Sequence, residues 1–408
     1  MKRLTEVMFL CCLCCLVATS AMAGGTNAIS ASVGPRPAGM GGAQVADPVD
    51  ASAFYYNVAG LARIEGGFLQ LGGGAIIPKA EYQRLGVGRF IESEDTILPS
   101  PFGGFGIHLN DRLAFGLGWH LRGGMGSRYD EKDFPWQEGM LGLMEVVPAL
   151  ALKVNDRLYV GVKLDIGYAQ FKNAGDLQLG STLISPVEMA VEASGIGVGF
   201  GVAALYEVSE RFALGISYTS PLDVKMKGST KLKLLDIPLG EYETEVAANF
   251  AGRLAVGVKV KPNDWLTLLF DATGYDYSGM KELTAKIGPI NYSQKVNWHD
   301  NFTLNAGAEI EVTEELLTRL GLCWHTAAIP RATTMPTAPE VAGPGVSFGF
   351  GYQPKGRSWI LDLGYAHGWG EREVENHRGF IAPGKYRVDV DVLWLSVNWK
   401  FGGGGKDK

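Results

Sequence analysis

Alternation of apolar residues at every second position is the feature that most constrains the fold. One face of segment 113–121 carries Leu113, Phe115, Leu117, Trp119 and Leu121, and the other carries Ala114, Gly116, Gly118 and His120. Segments 158–167 and 302–310 repeat this pattern, and each is close to the roughly 10 residues with which a tilted strand crosses a bilayer. A bulky face opposite a face of small residues predicts strands that present bulk to lipid and small side chains to a crowded lumen.

The N-terminus carries the pattern of an export signal. Lys2 and Arg3 precede an apolar run, and Ala21-Met22-Ala23 follows it. This arrangement predicts a signal peptide over residues 1–23, cleaved after Ala23. Beyond it, no apolar stretch approaches the roughly 18 residues that a membrane helix requires, so we expect any membrane crossing to be made by strands. Cys323 is the one cysteine outside the signal peptide, so no internal disulfide is expected.

The connections between the predicted strands alternate in length. Short turns rich in turn-forming residues lie at 110–111, 155–156, 209–210, 262–264 and 354–357. Long segments lie between them, at 78–100, 122–143, 172–190, 221–248, 278–298, 328–343 and 370–387. Trp119, Trp324 and Trp369 fall near the long-loop rim, and Trp359 and Trp399 near the short-turn rim, as interface belts would place them. This alternation predicts an all-β transmembrane antiparallel barrel of about fourteen strands.

Composition and the C-terminal end fit one large domain in an outer membrane. No linker or charge block divides the chain, and its net charge of −6 argues against a nucleic-acid partner. We expect the barrel to occupy residues 67–401. The last strand alternates to Phe401, and a terminal aromatic of this kind resembles the signal read by barrel-assembly machinery. Residues 402–408 are expected to form a flexible tail. The predicted location is the bacterial outer membrane, in contact with its lipid.

Before the first strand comes a segment rich in glycine and other small residues, without alternation. It includes the stretches 34–43 and 52–62, and we expect residues 24–66 to fold compactly as a plug inside the barrel. The segment resembles the N-terminal hatch of the long-chain fatty acid transporter (FadL) family, which includes importers of aromatic hydrocarbons. Asn57-Val58-Ala59-Gly60 matches the Asn-Pro-Ala-Gly hatch motif of that family at three of four positions, with Val58 in place of proline.

The resemblance continues along the mature chain. Segment 145–158 looks like the central hairpin of the family, and segment 211–221, followed by Lys227 and Gly228, looks like one of its later strands. The resemblance implies a fourteen-stranded barrel around the hatch, a capture groove between two long loops, an interior pocket and a side exit at a kinked third strand. The matching loops, 172–190 and 221–248, look short and lack a clear amphipathic helix. We therefore expect a capture groove that is reduced or built differently.

Two functions remain open at this point. The first is passive uptake of hydrophobic compounds, such as long-chain fatty acids or hydrocarbons, by hatch movement and lateral diffusion through the barrel wall. The second is a partner-binding barrel that acts in protein secretion, because FadL-like shuttle proteins of type IX secretion share strings like those at 39–43 and 57–60.

Candidate ligand contacts are the basic side chains of the inward face. They are His108, His120, Arg122, Lys163, Arg253, Lys259 and His325. A carboxylate-bearing ligand would favour a basic partner, whereas a hydrocarbon needs an apolar wall only. The alternative is that these charges form salt bridges with the plug or the wall. Candidates for the lateral opening are Gly116, Gly118, Gly123 and Gly124, because glycine weakens strand packing; alternatively, they make room for the hatch.

Two sequence strings resemble enzyme motifs but lie in the wrong secondary structure for those enzymes. Gly345-Val346-Ser347-Phe348-Gly349 satisfies the G-x-S-x-G string of serine hydrolases, but the strand alternation continues through it to Tyr352, where the hydrolase elbow needs a helix. The glycines at 195, 197, 199 and 201 have a spacing of two, which indicates one strand face and no nucleotide loop. Asp165 and Glu309 are interpreted as lumen carboxylates. The six histidines show no metal-ligand spacing. No catalytic site, metal or cofactor is expected.

Overall fold

The computed structural model describes residues 32–85, 88–130, 135–179, 182–374 and 383–402. The predicted signal peptide, residues 1–23, and residues 403–408 of the predicted tail lie outside these ranges. Within them, no helix has the length and apolar character needed to cross a membrane.

The described residues form one antiparallel sheet and a few short helices. The strands are β1 (Gly67–Arg84), β2 (Ile91–Glu92), β3 (Leu98–His108), β4 (Leu113–Arg128), β5 (Trp136–Lys153), β6 (Leu158–Leu179), β7 (Thr182–Ser209), β8 (Phe212–Thr219), β9 (Leu222–Leu234), β10 (Ile237–Phe250), β11 (Gly252–Asn263), β12 (Leu266–Asp276), β13 (Glu282–Ile287), β14 (Ile290–Lys295), β15 (Asn301–Glu311), β16 (Leu316–His325), β17 (Gly343–Tyr352), β18 (Trp359–Val374) and β19 (Gly384–Phe401). The helices are α1 (Pro35–Gly39), α2 (Ala53–Tyr56) and the 3-10 helices Val58–Ala62 and Arg331–Thr333.

The sheet closes on itself. β1 pairs with β19 along its whole length, from Gly67 opposite Phe401 to Arg84 opposite Gly384. Of the described strands, fourteen form the closed wall, which are all except β2, β9, β10, β13 and β14. Closure pairs the first and last strands, so most backbone groups of the wall find partners within the sheet, as the hydrocarbon core demands. An exception is the end of β4 beyond its last pair with β3. This result confirms the prediction of an antiparallel barrel of about fourteen strands.

The two faces of the wall differ as the alternation predicts. In β6, Val162 and Leu164 are 53% and 43% exposed, whereas Lys163 and Asp165, which alternate with them, are buried. Three of the tryptophans expected in the interface belts, Trp324, Trp369 and Trp399, are exposed on the outer surface. Trp359 is half-buried, and Trp119 departs from the prediction. It is buried because it packs against Gly103 of the neighbouring strand.

The long connections are more regular than expected, and this corrects the predicted loops. Segment 221–248 contains the hairpin β9–β10, segment 278–298 contains the hairpin β13–β14, and β6 and β7 extend through most of segment 172–190. Charged residues continue the alternation there, with Lys227 opposite Glu245 and Lys231 opposite Glu241. Opposite charges on facing positions stabilise strand pairing. Strands also continue into 78–100, 122–143 and 370–387, whereas 326–342 has no strand.

Residues 32–66, here called the hatch segment, lie in the lumen. All of them are buried except Val49, Arg63, Glu65 and Gly66. Glycines on widely separated strands make room for the segment: a Cβ at Gly161 would collide with Val58, one at Gly215 with Val45, and one at Gly307 with Met40. Since these strands lie around the wall, the segment is enclosed by it.

Candidate ligand-binding site

Three cations converge on one hatch carboxylate. Asp47 lies 2.8 Å from Arg36, 2.7 Å from Arg63 and 2.6 Å from Lys259, measured from carboxylate oxygen to side-chain nitrogen. Burial alone would raise the pKa of Asp47, but these three positive charges hold that pKa well below its usual range. Lys259, predicted as a ligand contact, therefore serves to join β11 to the hatch segment.

A second group of charges extends this link to the far side of the wall. Arg36 donates from Nε to Glu309 Oε2 at 2.9 Å, and Arg319 donates to the same oxygen at 2.7 Å. Arg319 also donates to Asp362 Oδ1 at 2.6 Å. Glu309, Arg319 and Asp362 belong to β15, β16 and β18, so one ionic network ties the hatch segment to these three strands.

The expected hatch motif forms a turn against the wall. Asn57 donates from Nδ2 to the carbonyl oxygens of Val45, at 2.9 Å, and Ala204, at 3.0 Å. Its Oδ1 accepts from the N–H of Ala59 at 3.1 Å, which caps the 3-10 helix Val58–Ala62. Asn57 thus joins two parts of the hatch segment to β7.

Wall side chains also bind the hatch backbone directly. Asp271 accepts from the N–H groups of Gln44, at 2.5 Å, and Val45, at 2.8 Å. Ser347, the serine of the G-x-S-x-G string, accepts from the N–H of Gly41 at 2.8 Å. It lies within β17, with strand on both sides of it. Its observed contact is therefore with the hatch segment.

A cavity of about 70 Å³ lies between the hatch segment and the long-connection rim. Its lining is largely aromatic and apolar, with a few charges. The aromatic and apolar members are Tyr55, Met125, Leu141, Phe250, Ala251, Tyr275, Tyr277, Met280 and Trp298, and the charged members are Arg122, Glu145, Lys163 and Arg253. A mostly apolar pocket with a few convergent polar groups is the usual form of a small-molecule site.

Two of the cavity's cations are already engaged. Arg122 donates to Glu145 at 2.9 Å and to the carbonyl oxygens of Ser220, at 3.1 Å, and Ala251, at 2.6 Å. These carbonyls lie where β8 passes into β9 and where β10 passes into β11. Lys163 lies 2.8 Å from Asp165 and 3.2 Å from the carbonyl oxygen of Phe54. Both cations therefore fix the surrounding chain.

Arg253 differs from these neighbours. It is 6% exposed, its guanidinium lies 4.0 Å from the ring centroid of Tyr55, and it donates to the carbonyl oxygen of Tyr55. No carboxylate of the described ranges is within ion-pair distance of it, since Asp271 acts on it at longer range only. A buried cation without a contacting anion is costly, so this position favours an anionic guest.

The remaining predicted contacts lie around the cavity or away from it. His120 is buried behind it, with Nε2 3.3 Å from Glu145 and its ring edge-on to Tyr55. His325 Nε2 lies 2.8 Å from the carbonyl oxygen of Val341, and His108 is at the short-turn end of β3. Of the seven candidates, Arg122, Lys163 and Arg253 line the cavity.

The four glycines proposed for a lateral opening fall into two pairs. A Cβ at Gly116 or Gly118 would overlap the ring of Phe54, and both residues are paired with β3 and β5. Pairing between β3 and β4 ends at Phe102 opposite His120, and the β4–β5 register shifts just before Gly123. A Cβ at Gly123 would meet nothing within 4 Å. Room for the hatch segment accounts for the first pair. In the second pair, free space surrounds Gly123, whereas a Cβ at Gly124 would lie 3.1 Å from the carbonyl oxygen of Leu141.

Several residues of the cavity were not anticipated from the sequence. Tyr55 stands out as part of an aromatic triplet in a segment of small residues, and Glu145 as a carboxylate in an apolar strand. Each residue therefore differs from its neighbours in a way that is visible in the sequence. Tyr277, Met280 and Trp298 lie in connections outside the alternating strands, where no periodicity indicates which side chains enter the lumen.

Comparison with known proteins places the chain in a family. Residues 14–401 match the family model described as outer membrane protein transport protein (OMPP1/FadL/TodX). The chain is 22% identical over 348 residues to the 47 kDa outer membrane protein of Pasteurella multocida, covering 75% of this chain and 77% of that protein.

Two solved structures show the same fold. A FadL homologue from Pseudomonas aeruginosa has a TM-score of 0.81 at 20% identity, covering 91% of this chain and 98% of that one. The toluene transporter TbuX of Ralstonia pickettii has a TM-score of 0.74 at 19% identity, covering 91% and 99%. The fold, the membrane-crossing strands and the family match agree, and the chain belongs to the OMPP1/FadL/TodX family of outer-membrane transport proteins.

Proposed function

We propose that this protein takes up hydrophobic small molecules across the outer membrane. The observation that carries the proposal is the aromatic and apolar cavity enclosed by the barrel above the hatch segment. Similarity to a FadL homologue and to a toluene transporter supports it. The alternative role in protein secretion finds no support, because the family model and these structures describe transport.

The size of the cavity implies that ligand entry moves side chains. An apolar cavity of roughly 150 Å³ holds benzene, whereas this cavity encloses about 70 Å³. Met125 and Met280 lie on its lining. Methionine side chains adapt easily because they are unbranched and have several rotatable bonds. We infer that they swing aside as the ligand binds.

Arg253 favours a ligand that carries a carboxylate. Its guanidinium presents further N–H donors besides the one used by Tyr55, and a carboxylate would supply the charge that this position lacks. The aromatic surroundings would hold the apolar part of the same molecule. The preferred class is therefore a hydrophobic acid, such as a fatty acid, ahead of an uncharged hydrocarbon.

We place the exit in the wall beside Gly123 and Gly124. Both residues line the cavity, and β4 has lost its pairing with β3 at this height. The ligand would pass from the cavity into lipid without crossing the hatch segment, and each buried CH₂ favours that route by about 0.8 kcal/mol. In this proposal residues 24–66 are the hatch, whose described part, residues 32–66, forms the floor of the cavity, and residues 67–401 are the barrel.

Uptake by cells tests the function directly. The gene would be expressed in a Gram-negative host that lacks its own FadL-family genes, and the entry of labelled oleate and labelled toluene would be measured. We expect oleate to enter several-fold faster than in uninduced cells, with a smaller effect on toluene. Equal entry of both compounds with and without the protein would contradict the proposal.

A further inference from the structure

The connection from β16 to β17, residues 326–342 and here called the mouth segment, has no strand yet is mostly buried. Thr334, Thr337, Glu340 and Val341 are each 3% exposed or less. Its exposed residues are Arg331, Ala332 and Ala342. A connection normally runs over the surface, where water satisfies its backbone. Burial of this one means that it folds into the mouth of the barrel.

The mouth segment packs against the lining of the cavity. Ile329 packs in a buried cluster with Met280, Val296 and Trp298, and Met125 and Tyr277 contact the same cluster. Four members of this group, Met125, Tyr277, Met280 and Trp298, also line the cavity. The mouth segment thus packs against the residues that line the long-connection side of the cavity.

The same segment lies against the unpaired part of the wall. Ser127 donates from its N–H to the carbonyl oxygen of Thr337, at 3.1 Å, and from Oγ to that of Pro336, at 2.7 Å. Tyr129 donates from its hydroxyl to Pro336 at 2.9 Å. Ser127 belongs to the stretch of β4 beyond its last pair with β3. Main-chain groups of β4 at this height thus bind the mouth segment.

Polar contacts hold the mouth segment closed. Ile329 donates from its N–H to Glu340 Oε2 at 2.5 Å, which links the two ends of the segment. Arg372 of β18 donates to the carbonyl oxygen of Ile329, at 2.8 Å, and to the hydroxyl of Thr334, at 2.7 Å. These are individual hydrogen bonds without a covalent tie, so they can break and re-form as the segment opens.

We propose that the mouth segment is a gate that controls both ends of the transport route. Its closed position covers the cavity from above and backs the wall beside Gly123 from within. The tip around Thr337 must withdraw before a ligand can enter the cavity or leave through the wall. The gate rests on the proposed uptake function.

A reversible cross-link at the tip tests the gate. A Cβ at Gly139 would lie 2.7 Å from the Cβ of Thr337. Disulfides place these atoms about 3.5–4.5 Å apart, so Gly139→Cys with Thr337→Cys needs a shift of about 1 Å. Both changes are made in a Cys323→Ser background, which removes the free thiol of the described residues. Heat-modifiable migration on gels verifies that the barrel has folded.

A cross-link at the base of the mouth segment is the matched control. A Cβ at Gly370 would lie 3.1 Å from the Cβ of Val341, next to the start of β17. Gly370→Cys with Val341→Cys therefore ties the same segment to the wall but leaves its tip free. Both pairs are oxidised, and cross-linking is quantified before uptake is measured.

We expect the oxidised tip variant to take up labelled oleate at least tenfold more slowly than its reduced form, and the base variant to stay within twofold. Equal oleate uptake by the oxidised and reduced tip variant would overturn the gate and leave the uptake function standing. Failure of the reduced variants and the unchanged protein to take up oleate would overturn the uptake function.

Hydrogen exchange of the unchanged protein gives a second measurement that needs no variant. We expect amides of residues 328–341 to exchange faster when oleate is present, because passage of the ligand requires opening. Exchange that is unaltered or slower in this segment would count against the gate.

Discussion

Gly118 and Gly123 belong to the same strand, β4, but have opposite surroundings. A Cβ at Gly118 would overlap the ring of Phe54, whereas a Cβ at Gly123 would meet nothing within 4 Å. In the sequence, Gly118 lies on the face of small residues, and Gly123 follows Leu121, the last bulky residue of the other face. Their different neighbours make them a matched pair for experiments.

Substitution of Gly118 by alanine should loosen the hatch segment. Overpacking of this kind costs about 1–3 kcal/mol, because Phe54 has to move. We expect faster hydrogen exchange in residues 50–60 of Gly118→Ala and no such change in Gly123→Ala. Phe54→Leu combined with Gly118→Ala should recover part of the loss, and similar exchange in the two single variants would refute the assignment.

Arg253 should distinguish acids from hydrocarbons. Hydrogen bonds to charged groups contribute about 1.5–3 kcal/mol, so Arg253→Gln is expected to slow oleate uptake about tenfold or more. Toluene uptake should change less than twofold. Arg211→Gln, at an exposed position on the short-turn rim, is the control for charge removal. Equal losses for both compounds in Arg253→Gln would indicate a structural role.

At the scale of an element, the mouth segment carries a titratable group. Burial raises the pKa of Glu340 to about 7, against the opposing effects of the Ile329 N–H and of Arg372. Tyr277 also interacts electrostatically with Glu340. In an opened segment the pKa of Glu340 would return towards its ordinary value of 4.5. The closed form therefore prefers protonated Glu340.

The sign of the pH dependence follows from this difference. Below the ordinary pKa both forms are protonated, and closure has its full stability. Between about 4.5 and 7 the opened form loses its proton first, so closure weakens; above about 7 no further change is expected. Across this pH range the stability of the closed form falls by on the order of 3 kcal/mol.

We predict that the mouth segment opens more readily at pH 8 than at pH 5. Hydrogen exchange of residues 328–341, corrected for intrinsic exchange rates, measures this opening. Glu340→Gln should abolish the pH dependence, because its amide keeps an acceptor oxygen without titrating. The same pH response in Glu340→Gln and in the unchanged protein would exclude Glu340 as the cause.

The sequence predicted the elements that two-residue alternation can reveal. It indicated the wall strands and the inward faces of Lys163, Asp165 and Arg253, since successive side chains of a strand point to opposite sides. It did not reveal the extended hairpin β9–β10, because the many lysines give this segment the composition of a polar loop, although they alternate with apolar residues such as Met226 and Leu232. Nor did it show that Thr337 enters the mouth, because the path of a connection depends on contacts far away in the chain.

At the scale of the whole molecule, the barrel and the hatch segment are joined mainly by charge. Asp47 bonds three cations while 4% exposed. Its loss leaves Lys259 without an ion-pair partner among the described residues and removes one of the two carboxylates that bind each of Arg36 and Arg63. Breaking one partner of a buried ion pair costs about 3–5 kcal/mol. The junction is therefore sensitive to a single carboxylate.

Asp47→Asn is expected to release the hatch segment for part of the time. Planar-bilayer recordings should then show open-channel events many times more often than in the unchanged protein. Glu314→Gln, which breaks the exposed pair with Lys355, is the control and should leave the current unaltered. If Asp47→Asn shows no more open-channel events than the unchanged protein, the remaining contacts, such as those of Asn57, suffice to retain the hatch segment.

The ionic network also sets an order of events when the chain is made. Arg36 leaves the ribosome early, yet its partner Glu309 follows 273 residues later, and Asp362 follows later still. Pairing of Arg36 with Glu309 must therefore wait until most of the wall has been delivered, whereas Asp47, within the hatch segment, follows Arg36 by 11 residues. Because β1 pairs with β19, the ring also closes with its last strand. The ionic link from Arg36 to β15 thus forms late, shortly before the last strand closes the barrel.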